Sequence, residues 1–243
     1  MDFQQKGLMI MKRIEWIQKF LFTALIVVSS ASYSTLYDRG NGMVYDSDQE
    51  ITWLLDANYS MTSGYDADGL MDWDSAMLWA SDLNYAGYDD WRLPALIDGG
   101  SLGCDHGYDD SDCGYNVDTS GSELAFLWYD ILENIAAYDT DGNYPQAGWG
   151  LTNTGADGVD FFNIQDFYYW TGTAYGLDTG DAWYFGTYNG HQFPLLKSNE
   201  YYAWAMRDGD VAQVSAPATL LLMLFGLMSF MKNNSKTHVQ RKE

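Results

Sequence analysis

The sequence predicts an α+β fold. Two segments in the first part of the chain carry helical periodicity, strand-like runs cluster towards the end, and long Gly/Asp-rich stretches separate them. Residues 42–46 and 50–56 are short β-rich runs around Asp46-Ser47-Asp48-Gln49 and read as a hairpin. Residues 72–84 read as a helix, because Trp73, Ala76, Met77, Ala80 and Leu83 recur on one face and Asp72 can cap its start. Residues 122–137 read as a second helix with Leu124, Leu127, Trp128, Ile131 and Ile135 as its buried stripe. Ser120 and Glu123 have the spacing of a capping box there. Five strands are expected at 159–164, 168–173, 181–188, 191–195 and 201–207, with Asn189-Gly190 as a two-residue hairpin turn. Segments 98–120 and 139–158 are Gly/Asp/Asn-rich loops, and no internal repeat is evident.

The charge is strongly asymmetric. The chain has 243 residues, with 12 Lys+Arg against 34 Asp+Glu, a formal net charge of −22. Most basic residues lie near the two ends. Residues 32–231 hold only Arg39, Arg92, Lys197 and Arg207 against 31 acidic residues, a net of −27. Such a surface has almost nothing to neutralise phosphates, which excludes nucleic acid as a partner. It equally argues against docking on anionic lipid through a folded basic patch. An apolar fraction of 47% and an aromatic fraction of 16% nevertheless supply a real core.

The ends read as addresses. Residues 1–34 carry basic residues up to Lys19, an apolar run at 20–28 and then small residues, the pattern of a signal peptide cut after Ala31. The competing reading is an uncleaved anchor, for which nine strongly apolar residues are too few. Residues 35–212 form the exported domain. Residues 213–243 contain Pro217-Ala218-Thr219, an apolar stretch at 220–231 and a basic tail. That order resembles the PEP-CTERM sorting signal read by exosortases, with the last proline of the signal falling on Pro217. Simple retention as a C-terminal membrane anchor is the alternative. Cys104 and Cys113 are separated by eight residues of an Asp/Gly-rich loop. In an exported protein a disulfide is the default for such a pair, the alternative being a metal site with His106 between them.

Several blocks between about residues 40 and 210 resemble a known family. Gly42-Met43-Val44-Tyr45-Asp46 through Trp53 is similar to its opening block. Trp73-Asp74-Ser75-Ala76 followed by Gly87-Tyr88-Asp89-Asp90-Trp91-Arg92-Leu93-Pro94 is similar to its most specific signature, W-x-x-A followed by G-Y-x-D-W-R-L-P. Residues 169–174 (Tyr169-Trp170-Thr171-Gly172-Thr173-Ala174), 181–184 (Asp181-Ala182-Trp183-Tyr184) and 201–208 are similar to its closing blocks. The family is the Lcl C-terminal domain of collagen-like bacterial adhesins. The resemblance implies a C-type-lectin-like fold and a surface adhesion role. The helix that follows W-R-L-P in the family is replaced here by Ala95-Leu96-Ile97-Asp98-Gly99-Gly100.

Candidate functional residues are of three kinds. Trp91, Arg92, Leu93 and Pro94 read as a structural motif, with the Arg92 guanidinium held by carboxylates or carbonyls to pin the turn; an anion contact is the competing role. Asp66 and Asp68, Asp139 and Asp141, and Asp157 and Asp160 lie in fragments resembling oxygen-ligand calcium loops, making Ca²⁺ a candidate cofactor, although Asp and Gly are also ordinary turn residues. Tyr108, Tyr115, Tyr144 and Trp149 lie in loops, where exposed rings could stack on sugar faces. The charge makes sulfated glycans poor partners unless calcium bridges them. No H-E-x-x-H zinc motif is present. The expected function is therefore non-catalytic adhesion or exopolysaccharide binding outside the cell, with export machinery, an exosortase and the membrane as further partners. A glycan hydrolase using paired carboxylates is the competing reading.

Overall fold

The structure, a computed structural model, describes residues 35–100 and 111–211. The expected signal peptide, Cys104, His106, Tyr108 and the sorting residues Pro217, Ala218 and Thr219 lie outside the described residues. Among the described residues, no helix is long and apolar enough to cross a membrane.

The fold is mostly β, with short helices between two principal antiparallel sheets. Strands β1 (Leu36–Gly40), β2 (Met43–Asp46) and β3 (Ile51–Leu54) form a meander. Helices α1 (Tyr59–Thr62) and α2 (Trp73–Asp82) follow, and then, past the W-R-L-P turn, a one-turn 3₁₀ segment (Thr119–Gly121) and α3 (Glu123–Phe126). The small hairpin of β4 (Gly155–Ala156) and β5 (Val159–Asp160) precedes a three-stranded sheet of β6 (Tyr168–Ala174), β7 (Asp181–Gly186) and β8 (His191–Leu196). Strand β9 (Met206–Asp208) returns to pair antiparallel with β3, placing Trp53 opposite Met206. The strands therefore do not all cluster late, because the last one completes the N-terminal sheet.

Helix α2 forms as its sequence predicts. Asp72 accepts from Ser75 N at 2.7 Å, and Ala76, Trp79 and Ala80 are buried. The second helix is much shorter than 122–137. Its cap is Ser122, not Ser120, with the Ser122 hydroxyl accepting from Ala125 N. After four α-helical residues the chain widens into a π-turn over Leu127–Ile131, where Leu132 N donates to Leu127 O at 2.9 Å, and Glu133 at φ 53° ends the run. Adjacent side chains on an ideal helix diverge by about 100°, and a wide turn relaxes that limit. Both Trp128 and Tyr129 consequently reach one loop: Trp128 Nε1 donates to Thr187 O at 2.9 Å and Tyr129 Oη to Gly190 O at 2.6 Å.

That loop joins β7 to β8. Asn189-Gly190 does lie in it, but the turn is four residues long, with Gly186 and His191 as the closing pair and Gly190 N donating to Gly186 O at 2.8 Å. Gly190 has φ +74°, and a Cβ there would meet the Trp128 ring at 2.8 Å. Only glycine lets helix and hairpin approach this closely. The expected strand at 201–207 is likewise broken: Tyr201 and Tyr202 make isolated bridges to Met71 and Tyr169 before β9 begins.

Trp53, Trp128, Trp170, Trp183 and Trp204 are fully buried. Several indoles also tie remote backbone together. Trp170 Nε1 donates to Met71 O, Trp73 Nε1 to Thr171 O and Trp204 Nε1 to Leu54 O, all at 2.7–2.8 Å. Trp91, Leu93 and Pro94 are buried, while Arg92 makes an antiparallel bridge with Met206. Its guanidinium grips Glu123 through two 2.7 Å bonds, Asp208 Oδ1 at 2.5 Å and Leu93 O at 3.1 Å. Glu123, expected to complete a capping box, instead spends its carboxylate on Arg92 and on Ala95 N at 2.6 Å.

Two expectations concern stability. Arg92→Lys keeps the charge but loses the two-pronged contact, so unfolding free energy should fall by about 1–2 kcal/mol, seen as a lower urea midpoint with unchanged slope. Asp46 is fully buried at the β2–β3 turn, its Oδ1 accepting from Asp48 N and Gln49 N, and burial pushes its carboxyl up to about 6. Because the folded value is raised above the unfolded 3.8, the associated stability is fully present below that value and is lost as pH rises through about 6. Asp46→Asn keeps the turn acceptor without the charge. It should stabilise the protein by roughly 1–3 kcal/mol at neutral pH, and melting curves of variant and wild type should converge towards pH 4.

Candidate functional site

The chain between Leu132 and Gly150 is bonded to the β7–β8 turn and carries a cluster of rings that includes the exposed Tyr144. Asn134 starts it. Its side-chain oxygen accepts from Thr152 N and Asn153 N, and its Nδ2 donates to Asn153 O, each at 2.9 Å. Gly150 N donates to Ile135 O at 2.9 Å, closing the two arms of the loop. Gln146 is the internal strut: its backbone N–H donates to Ala137 O, and its Nε2 donates to Ala136 O at 2.9 Å and Tyr138 O at 2.7 Å. Ala137 N donates to Asn189 O and Asn116 Nδ2 to Tyr138 O, both at 3.0 Å, which fastens the loop to the hairpin turn and to the segment before α3. Loop backbone bonded this fully holds its side chains in fixed positions.

At the far end the loop reverses over residues 139–143, where Asp139 N donates to Asn143 O at 3.1 Å. The flanking rings, Tyr138 and Tyr144, meet with centroids 4.9 Å apart and planes tilted 35°. Trp149 lies 6.1 Å beyond Tyr144, and Tyr115 lies 4.8 Å from Tyr138 on the other side. Tyr115 also meets the His191 ring at 4.8 Å, and His191 stacks on Phe193 at 5.5 Å. The result is a continuous ridge of rings from Trp149 to Phe193. Its inner part is buried: Tyr115 is only 9% exposed and accepts from Asn189 Nδ2 at 3.3 Å. Its outer part is open, with Tyr144 58% exposed, Ile135 40% exposed and Trp149 half-buried.

Electrostatics fit a binding surface with fixed protonation states. Burial, reinforced by Tyr138, raises the Tyr115 phenol, so it stays neutral over the ordinary pH range. At the tip, the Asn143 side-chain amide and backbone hold Asp139 below the usual carboxylate range, and the group is ionised.

Three of the four loop aromatics singled out from sequence, Tyr115, Tyr144 and Trp149, thus come together, and Tyr108 lies outside the described residues. Tyr138 was missed. Its only signal is that it and Tyr144 bracket the turn-forming Asp139-Thr140-Asp141-Gly142-Asn143.

Several of the carboxylates expected to hold calcium accept from nearby backbone. Asp66 Oδ1 accepts from Asp68 N and Gly69 N, and Asp68 Oδ1 from Leu70 N. Asp139 Oδ1 accepts from Asp141 N and Asn143 N, and Asp157 Oδ2 accepts from Leu36 N at 3.3 Å. These groups largely satisfy turn backbone, the commoner use of Asp in such sequences. Among the described residues, no group of three or more His, Cys, Asp or Glu is arranged to hold a metal ion. Cys113 is buried beside Leu96 and Trp183, and no described cysteine is free.

The Lcl C-terminal domain family matches the chain over residues 42–207. The chain belongs to that family. The match spans the β2–β3 hairpin, the W-R-L-P turn and the three-stranded β6–β8 sheet, begins after β1, and ends one residue short of Asp208, the outer partner of Arg92. No curated protein and no solved structure matches the chain. The ring ridge of this Lcl C-terminal domain lies wholly inside the matched residues. If Gln146 is its strut, Gln146→Ala should lower stability by about 1 kcal/mol and speed hydrogen exchange at the Ala137 and Gly150 amides while leaving strand β3 protected.

Proposed function

We propose that the protein is exported and held at the cell surface or in the extracellular matrix, where its Lcl C-terminal domain binds polysaccharide without cleaving it. Family membership is consistent with a surface or adhesion-type domain. The observation that carries the specific reading is the row of neighbouring rings Tyr138, Tyr144 and Trp149, with Tyr144 exposed and the other two half-buried, on a well-bonded loop. A ring face set in advance offers apolar area to the C–H face of a sugar at little entropic cost.

The rest of the reading rests on the sequence. Residues 1–34 act as the export signal, and residues 213–243 retain the protein, either as a membrane anchor or as a substrate of an exosortase. A Cys104–Cys113 disulfide closes the acidic loop in the oxidising compartment, and the domain adopts a C-type-lectin-like arrangement.

The test is retention of the full-length protein on a glycan array and in affinity gels. Tyr144→Ala and Trp149→Ala should each weaken retention by roughly 5–30-fold, the loss of one stacked ring worth about 1–2 kcal/mol, with little change in melting temperature. Retention that ignores both substitutions would sink the proposal. Release of shortened glycan during the same incubation would favour the competing hydrolase.

A further inference from the structure

We infer that the ligand of this ridge is a polysaccharide bearing free, protonated amino groups. The inference rests on the ring platform being the glycan site and names the chemistry of that glycan.

The cations of the domain are already occupied. Arg39 pairs with Asp210 through two 2.7 Å bonds, Arg207 with Asp90 through two 2.7 Å bonds, and Arg92 with Glu123 and Asp208. Lys197 places its ammonium 4.3 Å from the centre of the Trp73 ring. These are all the Lys and Arg side chains of the described residues. None of these cations has a contact with a ring of the ridge: Arg39 lies over Tyr37 and Tyr45, Lys197 over Trp73 and Arg207 over Tyr88.

The ridge itself carries the opposite charge. Tyr138 and Tyr144 flank the 139–143 turn, so the carboxylates of Asp139 and Asp141 lie on the short link between two touching rings. Asp130 and Glu133, both exposed, precede the loop on the same stretch of chain. The face of an aromatic ring is the negative end of its quadrupole and attracts an ammonium placed over it. Rings and carboxylates therefore prefer the same guest: a sugar with an apolar face and a positive substituent. A neutral glycan would use the rings alone, and an acidic one would be repelled within the Debye length of about 8 Å at physiological salt.

The discriminating experiment compares two hexamers of one backbone, β-1,4-linked glucosamine and its fully N-acetylated form. Titration calorimetry with the full-length protein would be run at about pH 6, below the pKa of an ordinary amine. The amine hexamer should bind about tenfold more tightly. High salt and Asp141→Asn should each shrink that preference, and Tyr144→Ala should weaken both hexamers. If the N-acetylated hexamer binds equally well, or a polyuronate binds better, the amine inference falls while the ring platform survives. If Tyr144→Ala leaves both affinities unchanged, the glycan lies elsewhere and both readings fall together.

Discussion

Arg92 lies where three segments remote in sequence have to meet: the W-R-L-P turn, the start of α3 and the returning strand β9. Its guanidinium reaches Glu123 on one side and Asp208 on the other, and its backbone bridges Met206. In a region with four cations against 31 acids, each guanidinium removes local repulsion that would otherwise push acidic segments apart. The same logic governs Arg207 with Asp90 and Arg39 with Asp210, each spanning more than 100 residues of sequence. The three guanidinium groups are long-range fasteners, each paired with a carboxylate remote in sequence.

Tryptophan supplies the second set of long-range ties. An indole buries a large apolar surface and keeps one donor that must be satisfied. Here that donor usually finds a backbone carbonyl on another element, as Trp170 does at Met71 and Trp204 at Leu54. Trp128 does the same at Thr187 and so holds the hairpin turn from which the ring-bearing loop is suspended. The loop can be long, polar and still ordered because its carbonyls and amides are taken up by Asn134, Gln146, Asn116 and Asn189.

How much of this was legible depended on whether the signal was local. Helix α2 was readable because its apolar spacing and its Asp72 cap lie within a few residues of each other. The second helix was overextended because nothing local reveals that Trp128 and Tyr129 must both serve the β7–β8 turn, which is what a π-turn permits. Glu123 has capping-box spacing from Ser120, yet Arg92, 31 residues earlier, takes its carboxylate. The Asp-rich turns look alike on paper whether they ligate an ion or satisfy their own backbone. Only the arrangement in space showed Asp66, Asp68 and Asp139 at the second task.

By itself the sequence determined the charge, the supply of rings, the family through its W-R-L-P block, and the elements whose pattern is local. Tertiary structure alone decided which rings face outward together, that Tyr138 joins Tyr115, Tyr144 and Trp149, and that the three guanidinium groups pair with remote carboxylates. The physical reason is that these are contacts between segments tens to more than a hundred residues apart. Chain periodicity reports which face of an element is apolar, but not which distant partner will cover it or leave it bare.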